Sequence, residues 1–140
     1  MNVLNGSSRR RASGQSLTEF ALIFPVLILV IVAVFDVGRG IFAYNTLSDA
    51  ARQGTRHAIV NQTESEVKQK VLDLANAAGL GLTSADVGVT YEGSPCSPVK
   101  LGCVAVVTVE YEYVPLTPII DQILDPITLR AESKMPVENI

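Results

Sequence analysis

Three hydrophobic patterns succeed one another along the chain. From Phe20 to Phe35, "FALIFPVLILVIVAVF", there is no charged residue. At about 1.5 Å per residue this run makes about 24 Å of helix, against a hydrocarbon core of about 30 Å. Leu17, Thr18 and Val37 extend it, so the expected span covers about residues 17–37. Val37, Ile41, Tyr44, Leu47, Ala51 and Ala58 then recur at three- and four-residue spacing. That spacing predicts an apolar stripe on a helix that leaves the bilayer and docks on a domain. Asp49, Arg52, Gln53 and Arg56 fall mainly on another face, while Ala50, Ala51 and Gly54 keep this half slender. A helix from Leu17 to about Ile59 would be about 65 Å long. Gly38 and Gly40 each cost about 1 kcal/mol in a helix interior, and Pro25 removes a backbone hydrogen bond. A kink or local melting is therefore expected, and a complete break at residues 38–40 stays open.

Past Val60 the pattern changes. Thr63 followed by Glu66 reads as a capping box, and Val67, Val71, Leu74, Ala75 and Ala78 supply an apolar face, predicting a helix from Glu64 to Ala78 stopped by Gly79. Three alternating segments follow: Val87, Val89, Tyr91; then Ala105, Val107, Val109, Tyr111, Tyr113; then Ile127, Leu129, Ala131, Met135. Thr90, Thr108, Glu110, Glu112, Arg130, Glu132 and Lys134 lie between them, so each strand can bury one face. "TPIIDQIL" reads as a short helix with Thr117 as cap and Pro118 at its first position, its isoleucines serving the core. The fold class is α+β: a long N-terminal helix, membrane-spanning in its first half, packed on a small domain of one helix and a roughly three-stranded antiparallel sheet.

Charge and cysteines sharpen this picture. The 140 residues leave room for one small domain and one membrane segment, and the mean hydropathy of +0.32 suits a single-pass protein. Arg9, Arg10 and Arg11 precede the apolar run, whereas residues 36–140 hold thirteen acids against eight basic side chains. The positive-inside rule then leaves the N-terminus in the cytoplasm and the C-terminal part outside. The acidic exterior argues against nucleic acid as a partner. Cys96 and Cys103 bracket a short loop in a part expected to be exported, where a disulfide is permitted; it would contribute about 2–3 kcal/mol. No histidine lies near enough in sequence to complete a zinc site with them. His57, the single histidine, reads as a helix-surface residue, and no nucleophile, base and orienting group can be assembled around it. No enzymatic activity and no cofactor are expected.

The apolar run also raises a question of processing. A secretory signal peptide wants small residues at the first and third positions before the cut; here Ala33 is followed by Phe35, a poor fit, and no cysteine follows to make a lipoprotein site. The segment before the run is more informative: "RRRASGQSLTEF" joins a basic tail to a glycine and sets Glu19 at the mouth of the apolar stretch. "GQSLTEF" resembles a prepilin cleavage site, with Gly14 the last leader residue and Gln15 the first mature one. Continuing through "ALIFPVLILVIVAVFDVGRGIFAYNTLSDAARQGTRHA", the chain resembles the TadE-like pilin-related proteins of the tight-adherence (Tad) system. The resemblance is strong over about residues 14–60 and extends over the rest in outline. It implies a leader, residues 1–14, removed by prepilin peptidase, a helix over residues 15–60, and an extracytoplasmic globular domain over residues 61–140. Gln15 stands where type IV pilins usually carry phenylalanine, so N-methylphenylalanine is not implied.

Glu19 can also be read from physics. An ionised carboxylate near hydrocarbon is costly unless paired. Cleavage after Gly14 would create an α-amino group on Gln15, one helical turn before Glu19, able to pair with it in the same subunit or a neighbour. The plainer alternative puts Glu19 among the headgroups, favoured by the helix dipole. With Phe20, it forms the expected assembly site. The resemblance implies a minor pilin or pseudopilin of a Tad-type pilus, acting in assembly, initiation or tip formation and supporting adhesion. Its implied partners are the major Tad pilin, other minor pilins, the inner-membrane platform proteins and the assembly ATPase. The rival reading is a permanently membrane-anchored extracytoplasmic binding module that never enters a filament.

Overall fold

In the computed structural model, residues 9–93, 96, 99–116 and 127–137 are described, the first five by backbone alone. The apolar run and the stripe beyond it form one helix, α1, Arg9–Ala58, about 75 Å long by its rise. It starts upstream of the expected Leu17, so Gly14 lies within it, and it continues without interruption through Pro25, Gly38 and Gly40. The expected melting at the two glycines does not occur. Gly40 is held from outside, because a Cβ there would lie 3.8 Å from the Tyr113 ring. At Gly40 this packed neighbour offsets a local propensity cost of about 1 kcal/mol, whereas Gly38 has no such neighbour and is carried by the helix on either side.

The second helix, α2, spans Glu64–Ala77 and buries Val67, Val71 and Ala75. Its C-terminus is closed by two backbone bonds, Gly79 N to Asn76 O and Leu80 N to Ala75 O, with Gly79 at φ 83°. This is the Schellman arrangement, which puts glycine where an L side chain would be strained. The capping box expected at its N-terminus does not form. Thr63 is the N-cap residue, yet its side chain makes no cap hydrogen bond. Asn61 does the work instead: its Oδ1 accepts from Thr63 N at 3.1 Å, and its Nδ2 donates to the Glu66 carboxylate. Asn61 thus takes the Thr63 N–H and the Glu66 carboxylate that a capping box would pair with each other, and Glu66 N donates to the Thr63 carbonyl at 3.0 Å. A reciprocal box forms later, between Thr83 and Asp86, at a single 3₁₀ turn over Ser84–Asp86 that leads into the sheet.

The sheet has three antiparallel strands in sequential order, β1 Val87–Glu92, β2 Val104–Tyr113 and β3 Ile127–Pro136. The register pairs Val89 with Val107, and Val107 with Ser133. The alternation legible in the sequence therefore becomes one inward face: Val87, Ala105, Val107, Val109 and Ala131 are all buried. Ser133 belongs to it too, a buried position that the apolar count passed over. Its carbonyl lies 3.3 Å from the Thr55 hydroxyl, which also donates to Ala51 O at 2.8 Å. Val106 is buried on the other pleat, between its cross-strand neighbours Thr90 and Lys134 on the central strand. The segment 117–124, read as a short helix, lies outside the described residues.

The core forms where the outer half of α1 meets α2 and the sheet. Leu47, Ala50, Ala51 and Ala58 of α1 pack with Val67, Val71 and Ala75 of α2 and with the inward strand residues. Small side chains permit the close approach: a Cβ on Gly54 would collide with Val71 Cγ2 and come within 3.3 Å of Val107 Cγ1. The far end is tied by Tyr91, whose hydroxyl donates to Ala58 O at 3.3 Å. In the loop between β1 and β2, Cys96 and Cys103 form a disulfide with Cα atoms 5.8 Å apart. Cys103 is buried against the core, so the cross-link anchors the loop to the sheet.

Candidate functional site

The structure divides the chemistry of α1 between its N-terminal turns and its junction with the domain. Gly14, Gln15, Glu19 and Phe20 all lie on helix and all are exposed. Gln15 Nε2 donates to Glu19 Oε1 at 3.4 Å, a side-chain contact across one turn. Thr18 Oγ1 donates to Gln15 O at 2.7 Å and lies 3.3 Å from Gly14 O, occupying the carbonyls around the Gly14–Gln15 bond. Gly14 has open space beside it: apart from its chain neighbours and the backbone of its own helix, no heavy atom lies within 4 Å of where a Cβ would stand. Phe20 stacks at a tilt on Phe24, ring centroids 5.3 Å apart. These four positions therefore share two turns of helix that no other part of the described chain covers.

Downstream of them the helix is apolar on every side. Residues 14–31 are exposed without exception, including Leu22 at 77% and Ile23 at 65%. Among the described residues this is one helix long and apolar enough, by length and composition, to cross a membrane. A soluble helix would have turned one face inward.

The junction begins at Asp36, the first charged residue after the apolar run. It is 4% exposed. Its Oδ1 accepts from Leu116 N at 2.9 Å, its backbone carbonyl accepts from the Tyr113 hydroxyl at 2.7 Å, and Arg39 Nη1 lies 3.8 Å from Oδ1. Arg39 in turn rests over the Tyr113 ring at 5.9 Å from its centroid. The first acid after the apolar run is thus turned into the domain, where it fastens the end of β2 to the helix. The signal available in the sequence was the spacing itself, an acid three residues before an arginine at the end of an apolar run. Burial pushes the Tyr113 phenol above its ordinary range, and the nearby Asp36 and Tyr111 add to this while Arg39 opposes it. At the opposite end Tyr91 is raised likewise, first by burial and then by Glu64.

The predicted stripe along α1 divides at this junction. Leu47, Ala51 and Ala58 are fully buried, whereas Val37, Ile41 and Tyr44 are 64%, 58% and 49% exposed. The helix docks instead through Asp36, Ala43, Leu47, Ala50, Ala51, Thr55 and Ala58. A spacing argument fixes which residues share a face but not where the partner ends, and the sheet reaches only as far as Tyr113. Val37, Ile41 and Tyr44 line a recess of about 460 Å³ with Pro115, Ile127 and Leu129.

His57 lies in the last turn of α1, half-buried, with its carbonyl accepting from Asn61 N at 2.8 Å. Among the described residues no cluster of three or more His, Cys, Asp or Glu side chains is arranged to hold a metal ion.

Neither a curated protein nor a solved structure gives a significant match to this chain. A family does, and it covers the segment that joins the exposed N-terminal turns, the apolar run and the docking face: over residues 14–56 the chain matches the TadE-like protein family, as the resemblance anticipated.

Proposed function

We propose that this chain is a structural subunit, a minor pilin or pseudopilin of a Tad-type pilus. The observation that carries this reading is the TadE-like match over residues 14–56, which begins at Gly14 and spans an apolar helix exposed on all sides. In this account the basic segment 1–14 stays in the cytoplasm and residues 61–140 lie outside. Prepilin peptidase cuts between Gly14 and Gln15, and the freed helix packs into a filament through residues 15 to about 35. The platform proteins and assembly ATPase drive that step, and the major pilin and other minor pilins are the neighbours. The globular domain acts in initiation or at the tip and supports adhesion.

Glu19 has a defined part in this. The Gln15–Glu19 contact means that the new α-amino group would arise one turn from the carboxylate, on a stretch of helix with no other cover. An uncovered carboxylate in a packed apolar filament needs a cation, and the terminus of the same or the next subunit supplies one. The test is recovery of the Glu19→Ala variant in sheared surface material, compared with its level in membranes. We expect membrane insertion unchanged and surface recovery reduced at least about tenfold, equivalent to about 1.4 kcal/mol of packing free energy. Equal recovery of variant and parent would remove Glu19 from assembly.

A further inference from the structure

The uncharged run Phe20–Phe35 is about 24 Å long, against a hydrocarbon core of about 30 Å. Counting a hydrocarbon core of about 30 Å from Glu19 at about 1.5 Å per residue reaches about Arg39, one turn beyond Phe35. The helix around that level stays apolar and exposed: Val37, Ile41 and Phe42 are 64%, 58% and 57% accessible. The domain comes down to the same level. The bonds from Tyr113 and Leu116 to Asp36 bring the end of β2 beside this turn, and β3 starts there because Tyr113 pairs with Ile127. The domain side chains at this rim are exposed and apolar as well, Val114 at 58%, Leu116 at 70% and Ile127 at 37%. Between helix and strands lies the apolar recess of about 460 Å³. Of the two described charges at this level, Asp36 is buried in the domain, and Arg39, its side chain 55% exposed, lies 3.8 Å from Asp36 and beside the Tyr113 ring.

We propose that this rim is a membrane-docking surface: Val114, Leu116 and Ile127 sit in the interfacial zone of the outer leaflet, and lipid acyl chains fill the recess. The occupant is lipid because the surface is continuous with the span. A hydrocarbon core counted from Glu19 passes Val37 and ends within one turn of Ile41, and the domain rim is fastened beside them. Apolar faces of this kind bury about 5–10 Å into the boundary between headgroups and acyl chains. The domain would then be held against the membrane before any assembly, its orientation set by Asp36. The inference rests on the membrane-spanning reading of α1 and not on filament incorporation.

The chain contains no tryptophan, so a single introduced one reports its own depth. The full chain is reconstituted in phosphatidylcholine–phosphatidylglycerol vesicles whose acyl chains are brominated either near the glycerol or near the methyl end. Leu116→Trp and Ile127→Trp are the reporters; both replace exposed side chains. Val30→Trp marks the middle of the span, and Leu101→Trp marks the disulfide loop at the other end of β2. The expected result is a blue-shifted emission from both rim reporters, lost to the shallow bromines and little affected by the deep ones. Val30→Trp should be lost to the deep bromines, and Leu101→Trp to neither. Rim reporters that behave like Leu101→Trp while Val30→Trp is quenched would overturn the docking surface and leave the span intact. An unquenched Val30→Trp would overturn the span and the inference with it. Rim quenching that disappears as the protein-to-lipid ratio rises would mean that a second copy takes the surface, which also overturns the lipid assignment.

Discussion

The two halves of α1 share one backbone and read two different surroundings. Between Phe20 and Phe35 the side chains are apolar on every side, with only Val32 and Ala33 half-covered. Between Asp36 and Ala58 a docking face forms from Ala43, Leu47, Ala50, Ala51 and Ala58, with Gly54 where Val71 of α2 and Val107 of the sheet come closest. The first half gains from apolar surroundings without needing shape complementarity, since lipid tails or neighbouring helices conform to it. The second half is committed to one partner at close-packed density, where a single methyl group matters. A helix can thus be bound to its own domain at one end and left available at the other. The boundary is Asp36, the first described residue of α1 buried against the domain.

The largest contrast should come from truncating one leucine in each half. Leu47 is fully buried, and Leu47→Ala should cost about 2–5 kcal/mol of domain stability. Leu27 is 49% exposed, and Leu27→Ala should shift the same unfolding curve, followed by circular dichroism in detergent, by less than about 0.5 kcal/mol. Equal losses would mean that the inner half packs on the domain and that the division drawn here is wrong.

A glycine pair sharpens the comparison, because one substitution should act with opposite signs. Gly54→Ala drives a methyl group into Val71 and should destabilise by about 1–3 kcal/mol, less the gain in helix propensity. At Gly38 nothing lies within 4 Å of the new carbon, so Gly38→Ala should be neutral or stabilising by up to about 1 kcal/mol. Thermal unfolding of the two variants side by side decides it. Destabilisation by Gly38→Ala would reveal a helix partner at that position.

The smallest effect concerns pH. Tyr91 and Tyr113, at the two ends of the docked half, have phenols raised by burial. A raised acid binds its proton more tightly in the folded state, so the folded chain holds more protons than the unfolded one above about pH 10. The contribution is complete below that pH and is lost as pH rises through the folded values. Ultraviolet titration of the native protein should therefore show two of the four tyrosines ionising late, together with a fall in stability over the same range. Replacing Tyr113 by phenylalanine should remove one late step and also the hydrogen bond to Asp36.

The elements governed by a short period were legible in the sequence. Period-two alternation located all three strands, because a pleated strand with one buried face admits little else, and the register then put Val89, Val107 and Ser133 in line. The long helix was legible from its uncharged run and the spacing after it. What escaped depended on contacts between distant residues. Local propensity at Gly38 and Gly40 suggested melting, but Tyr113 comes from 73 positions further along the chain to sit beside Gly40. Thr63 and Glu66 read as a capping box, but Asn61, two residues upstream, takes the Thr63 N–H and the Glu66 carboxylate. Asp36 carried little sign of burial because its donor, Leu116 N, belongs to another element. The N-terminal turn differed: Gly14, Gln15, Glu19 and Phe20 were picked out by chemistry and by family resemblance, and the structure adds their exposure and their spacing on one helix.

The central claim is that the inner half of α1 is released from its leader to join a filament. N-terminal mass spectrometry of the protein from its native membranes and from sheared surface material tests this most directly. The account predicts a chain that begins at Gln15, or at its cyclised form, in both fractions. A chain that begins at Met1 or Asn2 and is confined to membranes would contradict it and leave a permanently anchored domain.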